Sequence, residues 1–372
     1  VARSIFFYTD SATFGGAEQA LFTLIEALDR RAWQSTLLLE EAPGGPPLTA
    51  HLGDLEVPVR TVPAMPLGAA GAARMPGFAR MLRRQGPDVF HAHLSWPLAA
   101  KYGLAAAVLA RVPATVATVQ LFPRFELDRS NLWQLRALAS GVGRYIAVSH
   151  DIAAKLVERM RWPAEKIAVV HNAVRLERFG AVDATALRAE LAGDPKRPIV
   201  LTAARLDEQK GLSVLLRAAA QLPEAVFVLA GEGPERGALE AQAAALGLGE
   251  RIAFLGHRSD VPQLLAACDV FALPSLFEGS SLAVLEAMAA ERAVVSSSIG
   301  GTNELIADSE NGSLVAPGDA DALADALRRL LADAPLRTVL ARQARQHVER
   351  SFAPATMAAR VTGIYEELLA RA

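Results

Sequence analysis

Short runs of β-branched and aromatic residues alternate with longer alanine- and leucine-rich runs along this chain, and the alternation starts over once. Residues 4–8, 36–39, 59–62, 89–92, 114–118, 144–148 and 167–170 read as strands, with helical patterns between most of them, as at 17–27 and 102–110. Strands of this length separated by helices imply a parallel sheet covered on both faces. A polar, helix-like stretch over 185–198, broken at Gly193-Asp194-Pro195, precedes a second set of strands at 199–203, 225–230, 252–255, 270–273, 293–297 and 313–315. The expectation is an α/β chain of two doubly wound domains: residues 1–176, a linker region over 177–197, residues 198–352, and a terminal helix over 353–372. Ligands of such sheets sit beyond the C-terminal strand ends, and two such domains facing each other make a cleft.

Composition narrows the partners. The formal charge is −2, which argues against a nucleic-acid partner. Cys268 is the one cysteine, so no intrachain disulfide forms, and a reducing compartment, the cytoplasm, is the simple reading. The first ten residues run straight into strand-like sequence without a charged leader, an apolar stretch and a cleavage site in series, so no secretory signal is read there. The most apolar long window, 102–119, is interrupted by Arg111 and Pro113. It falls short of a clean span of about 20 apolar residues and reads as a buried helix followed by a strand. Peripheral membrane contact has its own candidate: Arg74, Arg80, Arg83 and Arg84 punctuate Met75, Phe78, Met81 and Leu82, a basic amphipathic pattern that can lie on an anionic bilayer.

Four runs at strand ends offer chemistry. In Phe277-Glu278-Gly279-Ser280-Ser281-Leu282, Ser280 or Ser281 can cap the following helix, whose first N–H groups have no internal partner and suit a phosphate. Glu278 precedes that helix and Glu286 lies in its second turn; carboxylates accept hydrogen bonds from paired sugar hydroxyls. Arg205 and Lys210 stand on the loop after strand 199–203, where charge-assisted hydrogen bonds worth roughly 1.5–3 kcal/mol each suit a diphosphate. Gly231-Glu232-Gly233-Pro234 and Phe14-Gly15-Gly16-Ala17-Glu18 follow strands and permit tight turns with close ligand approach. Each run alone also fits an ordinary turn or a solvated loop. No clear cluster of metal ligands stands out.

Together and in this order, the four runs resemble the retaining glycosyltransferase family 4. The resemblance continues through His171-Asn172-Ala173-Val174 and Phe179, Phe254-Leu255-Gly256, Pro274-Ser275, the Glu278–Glu286 spacing, Gly300-Gly301-Thr302-Asn303-Glu304-Leu305-Ile306 and Asn311-Gly312. It implies the GT-B fold, two facing Rossmann-like domains with an interdomain cleft. It also implies retaining, metal-independent transfer of a hexose-type sugar from a UDP- or GDP-sugar to a glycan, lipid-linked or small-molecule acceptor, with no cofactor beyond the donor. Arg205 and Lys210 would clamp the diphosphate, Glu278 would contact the transferred sugar, and the amides near Ser281 and Leu282 the phosphate. Glu286 would bind the ribose, Gly16 and Gly231 would admit the donor closely, and the neighbourhood of His257 and Arg258 would lie near the base. The final helix of the family commonly crosses back to the N-terminal domain.

One departure concerns the acceptor side. The family often places a His after its fifth N-terminal strand in a Thr-x-His setting; Thr118-Val119-Gln120 puts Gln120 there. Gln can donate to a sugar hydroxyl but cannot become an imidazolium. His93, in His91-Ala92-His93, is the nearby alternative for acceptor or sugar contact. Gln120 is also the one feature favouring a degenerate nucleotide-sugar-binding protein. The two-glutamate block weighs against the other alternative, a nucleotide-sugar epimerase.

Overall fold

The computed structural model describes residues 2–11, 14–41, 55–122, 129–180, 182–194 and 196–372; Pro195 of the expected break lies outside them. Its contacts divide the chain into two compact units, Val1–Ala173 with Pro354–Ala372, and Val174–Ala353. In chain order the first run of elements is β1 (Arg3–Thr9), α1 (Gly16–Ala27), β2 (Trp33–Glu40), β3 (Val59–Val62), α2 (Ala69–Gln85), β4 (Val89–Leu94), α3 (Lys101–Ala110), β5 (Ala114–Val119), α4 (Arg129–Gly141), β6 (Arg144–Ala147), α5 (His150–Glu158) and β7 (Ile167–Val169). The second run is α6 (Thr185–Ala192), β8 (Ile199–Ala203), α7 (Leu212–Ala220), β9 (Val226–Ala230), α8 (Arg236–Ala245), β10 (Ile252–Gly256), α9 (Val261–Ala267), β11 (Val270–Leu273), α10 (Leu282–Ala289), β12 (Ala293–Ser297), α11 (Gly300–Asn303), β13 (Ser313–Val315), α12 (Ala320–Ala332) and α13 (Ala334–Ser351), and α14 (Pro354–Leu369) closes the chain.

Among the described residues, the first unit holds a seven-stranded sheet in the order β3-β2-β1-β4-β5-β6-β7, with parallel pairings throughout. Buried strands that alternate with helices leave both faces to be covered. Phe78, Leu82, Leu104, Ala107, Leu135 and Leu156, from α2 to α5, pack one face against Phe90, Ala92 and Val119. Leu21, Ile25, Val361 and Tyr365, from α1 and α14, pack the other against Phe7, Leu37 and Val116. Each such side chain contributes about 1.5–3 kcal/mol on full burial. A polar tie adds to this. Tyr365 bonds His91 Nδ1 at 2.5 Å, and His91 Nε2 bonds Thr118 Oγ1 at 2.8 Å. Burial, then the neighbouring His93, holds the His91 pKa well below its ordinary value, so the ring is neutral and its two nitrogens divide into one donor and one acceptor.

The second unit's six-stranded parallel sheet runs β10-β9-β8-β11-β12-β13. The chain direction across each sheet reverses once, at β1/β4 in the first unit and β8/β11 in the second, and such switch points open a crevice at the strand ends. The stretch expected as a linker carries α6, which belongs to the second unit because Arg188 pairs with Asp269 at 2.9 Å and donates to the Ala267 carbonyl at 2.7 Å. No helix among the described residues is long and apolar enough to cross a membrane.

Tyr365→Phe should leave His91 Nδ1 buried without a partner, at a cost of about 1–3 kcal/mol. A lower urea midpoint with an unchanged slope is the expected readout; an unchanged midpoint would show that the bond contributes nothing.

Candidate active site

Lys210 follows β8 and Glu278 follows β11, so the two sit on either side of the second unit's switch point. Their side chains meet there, Lys210 Nζ to Glu278 Oε1 at 2.6 Å, with the Glu278 side chain 6% exposed and that of Lys210 17%. Burying a charge is costly unless it is paired and its remaining valences are met. Ser275 Oγ donates to Glu278 Oε1 at 2.8 Å and Gln209 Nε2 donates to Oε2 at 3.2 Å. The same Gln209 amide reaches the Phe277 carbonyl at 3.0 Å. Sequence reasoning missed Ser275 and Gln209 as site residues. The three-residue step from Ser275 to Glu278 is a local signal; the Gln209 contact carries none.

Neighbouring strand-end loops are laced to this pair. Leu276 N donates to the Gln209 carbonyl at 2.7 Å, joining the loops after β8 and β11. Gly211 has φ +63, and a Cβ there would lie 2.2 Å from the Pro274 carbonyl oxygen, so the close approach needs glycine on both counts. Gly231, after β9, has φ +150, and a Cβ would lie 1.9 Å from the Ala204 carbonyl oxygen. Leu206 N donates to Glu232 O at 2.9 Å and Gly231 N to Gly256 O at 2.7 Å, which extends the lacing to the end of β10.

The other expected donor-side residues divide between that rim and its margins. Ser281 is the N-cap of α10 and accepts from Val284 N, so Leu282 opens the helix and Glu286 stands half-buried one turn on. Arg205 projects into solvent, its side chain 67% exposed, and pairs with Asp207. Arg258 is held by Asp260 through two bonds of 2.7 and 2.6 Å. Lys210 and Glu278 are therefore brought together, whereas Arg205 and Arg258 each hold an acid of their own.

In the first unit, Gly16 is exposed at the start of α1, where Glu18 accepts from Gly15 N at 2.9 Å. Gln120 and Asn172 form a reciprocal amide pair, with bonds of 3.3 and 2.9 Å. His93 differs from them. It is 5% exposed, and among the described residues neither ring nitrogen has a hydrogen-bond partner. Burial lowers its pKa to about 3. Three carboxylates share this strand-end edge with raised pKa values, each chiefly through burial: Asp10, Glu18 and Glu40.

Comparison with known proteins adds to this geometry. The family model described as Glycosyltransferase Family 4 matches residues 14–178, and that described as Glycosyl transferases group 1 matches residues 183–347. An Escherichia coli UDP-Gal:alpha-D-GlcNAc-diphosphoundecaprenol alpha-1,3-galactosyltransferase is 30% identical over 287 residues, 73% of each chain. The alpha-D-kanosaminyltransferase of Streptomyces kanamyceticus is 34% identical over 217 residues, and the match spans 55% of each chain. The structure of Anabaena Alr3699/HepE in complex with UDP and glucose aligns with a TM-score of 0.86 at 26% identity, over 98% of this chain and 100% of that one. The complex of the same protein with UDP-glucose gives 0.85 at 26% identity, over 98% and 99%.

The depressed His93 pKa sets a pH dependence. The folded value, about 3, lies below the ordinary 6.5, so the unfolded chain takes the proton first. The neutral ring's contribution is complete above pH 6.5 and is lost as pH falls toward 3, at up to about 1.4 kcal/mol per pH unit. Urea unfolding at pH 7 and pH 5 should show a flatter dependence in His93→Phe than in the unaltered chain. Equal slopes would contradict a neutral buried His93.

Proposed function

The chain belongs to glycosyltransferase family 4, and on that premise we propose that it transfers a hexose-type sugar, with retention and without a metal, from a nucleotide-diphosphate donor bound by its second unit. The observation that carries this reading is the buried Lys210–Glu278 pair across the switch point, next to the start of α10. An ammonium has three protons; one goes to Glu278, leaving others for phosphate oxygens. The first amides of α10 add donors with a favourable dipole, and Arg205 adds an exposed cation. Glu278 would accept from sugar hydroxyls, Glu286 from the ribose, and the Gly231 turn with the Arg258 neighbourhood would take the base.

In the proposed step, the bond from the sugar's anomeric carbon to the diphosphate breaks while the acceptor oxygen bonds that carbon on the same face. The acceptor's proton passes to the departing phosphate oxygen. No protein nucleophile is needed, so the protein's contribution is placement and stabilisation of charge as it grows on the diphosphate. In the first unit, Gln120 is engaged with Asn172, which leaves His93 as the candidate for acceptor or sugar contact.

Uridine is the favoured base, supported by the UDP and UDP-glucose complexes of HepE and by the UDP-Gal in the Escherichia coli relative's name. That relative's diphosphoundecaprenol acceptor supports a lipid-linked glycan here. Cys268 is buried and burial pushes its pKa up to about 12, so the proposed step uses no thiol.

Lys210→Ala should lower turnover of a UDP-sugar by about 10²–10³, the scale of losing one preorganised charge stabiliser. Normal turnover in a folded variant would refute the clamp. Glu286→Ala should weaken UDP binding roughly 10- to 100-fold, in line with a charge-assisted bond of about 1.5–3 kcal/mol. Calorimetry with UDP checks it, and an unaltered affinity would remove Glu286 from the ribose site.

A further inference from the structure

A cavity of about 360 Å³ opens on the second unit between α13 and the turn that precedes β13. Gln343, Gln346, His347 and Arg350 form one wall, and Glu310 and Asn311 the other. The α13 residues recur at intervals of three and four, so they make one stripe on the helix. The stripe beside it, Leu340, Ala341, Ala344 and Val348, is buried. A helix face that borders a hollow in the protein is usually apolar; this one presents two carboxamides, an imidazole and a guanidinium.

The facing turn is closed by its own bonds. Asn311 Oδ1 accepts from Ala307 N at 2.8 Å, and Asp308 Oδ1 accepts from Leu314 N at 2.8 Å. Ser309 N donates to Gly312 O at 2.9 Å, with Ser309 at φ +62, a left-handed conformation uncommon for serine. Gly312 lies beside Val294, whose carbonyl oxygen a Cβ would meet at 3.2 Å. Val294 is near the start of β12, whereas Glu278 lies beyond the end of the parallel neighbour β11. The cavity therefore stands toward the opposite strand end from the Lys210–Glu278 pair.

Its lining is polar yet balanced in charge. Glu310 and Arg350 carry opposite signs. Burial, then the neighbouring Arg350, lowers the His347 pKa, so at pH 7 the ring is neutral, with one donor and one acceptor nitrogen. Each carboxamide brings both donors and acceptors, and Arg350 reaches Gln346 Oε1 only at 3.4 Å. A phosphate here would meet Glu310, and a cation would meet Arg350. Phe352, edge-on to His347 with centroids 5.3 Å apart, is itself buried, so it offers a nucleobase no face to stack on. Sugar hydroxyls both donate and accept, which matches the mixture. The volume falls at the small end of small-molecule sites, roughly 300–1,000 Å³, but most such sites are apolar, and a polar one selects a hydroxylated ligand.

We propose that this cavity is a second saccharide-binding site, which holds a neutral sugar residue of a glycan apart from the residue that reacts. The proposal goes beyond the sugar-transfer reading and does not rest on it.

Saturation-transfer NMR with lactose, maltose and N-acetylglucosamine tests it, each with and without UDP. At least one sugar should bind, equally well in both conditions. Gln346→Ala with Arg350→Ala should weaken that binding at least fivefold, and so should Gln343→Trp, which fills the mouth of the cavity. UDP affinity by calorimetry should stay unchanged in both variants. Binding of none of the three sugars, or binding indifferent to both variants, would overturn the proposal. So would displacement of the sugar by UDP, which would place it in the donor site, or by inorganic phosphate, which would mark an anion site.

Discussion

A buried ion pair at a strand-end switch point is the constraint around which the second unit's rim is built. Removing Lys210 and Glu278 from water costs several kcal/mol per ion before attraction and hydrogen bonds repay it. Ser275 and Gln209 complete the carboxylate's valences, and they must be held in place for that to work. The chain does so with backbone contacts. Gln209 is fixed by the Leu276 N–H on its carbonyl, and the loop that bears Lys210 turns through Gly211 so close to Pro274 that no side chain fits between. Preorganisation of this kind is what electrostatic stabilisation of a leaving group requires, since the charges are set before the reaction begins.

Much of the fold was legible because its strands are short, β-branched and bounded by helices. Strands β3, β8, β11, β12 and β13 occupy the same residues as the sequence reading, and the others differ by a few residues at their ends. The linker reading of 177–197 shows the limit. Polarity and a Gly-Asp break look like a connector, but the deciding fact is Arg188 reaching Asp269, 81 residues on, and no local pattern encodes that partner.

The site divides in the same way. Ser281 as cap and Glu286 one turn into α10 follow from local periodicity. The meeting of Lys210 with Glu278 and of Gln120 with Asn172 spans 68 and 52 residues, and depends on which strands lie side by side. Arg205 and Lys210 looked equivalent as two cations on one loop. The fold separates them: Lys210 is half-buried in a network, and Arg205 extends into water beside Asp207. Lys210 has undergone its ordering on folding, whereas Arg205, exposed and paired with Asp207, would have to leave or share that acid to meet a ligand.

The two sheets share an architecture and differ in what they place at the strand ends, which is where chemistry resides in such folds. The second unit's edge presents Lys210, Arg205 and the start of α10, a set suited to negative charge. The first unit's edge presents carboxylates whose pKa values burial has raised and a histidine whose pKa burial has lowered. Both shifts favour the uncharged form of the group. A neutral His93, with neither ring nitrogen partnered among the described residues, can meet a hydroxyl as donor or acceptor without a counter-charge. Two sheets that share one switch-point order thus differ in the burial and charge of the groups at their strand ends, a difference set by side chains and not by strand order.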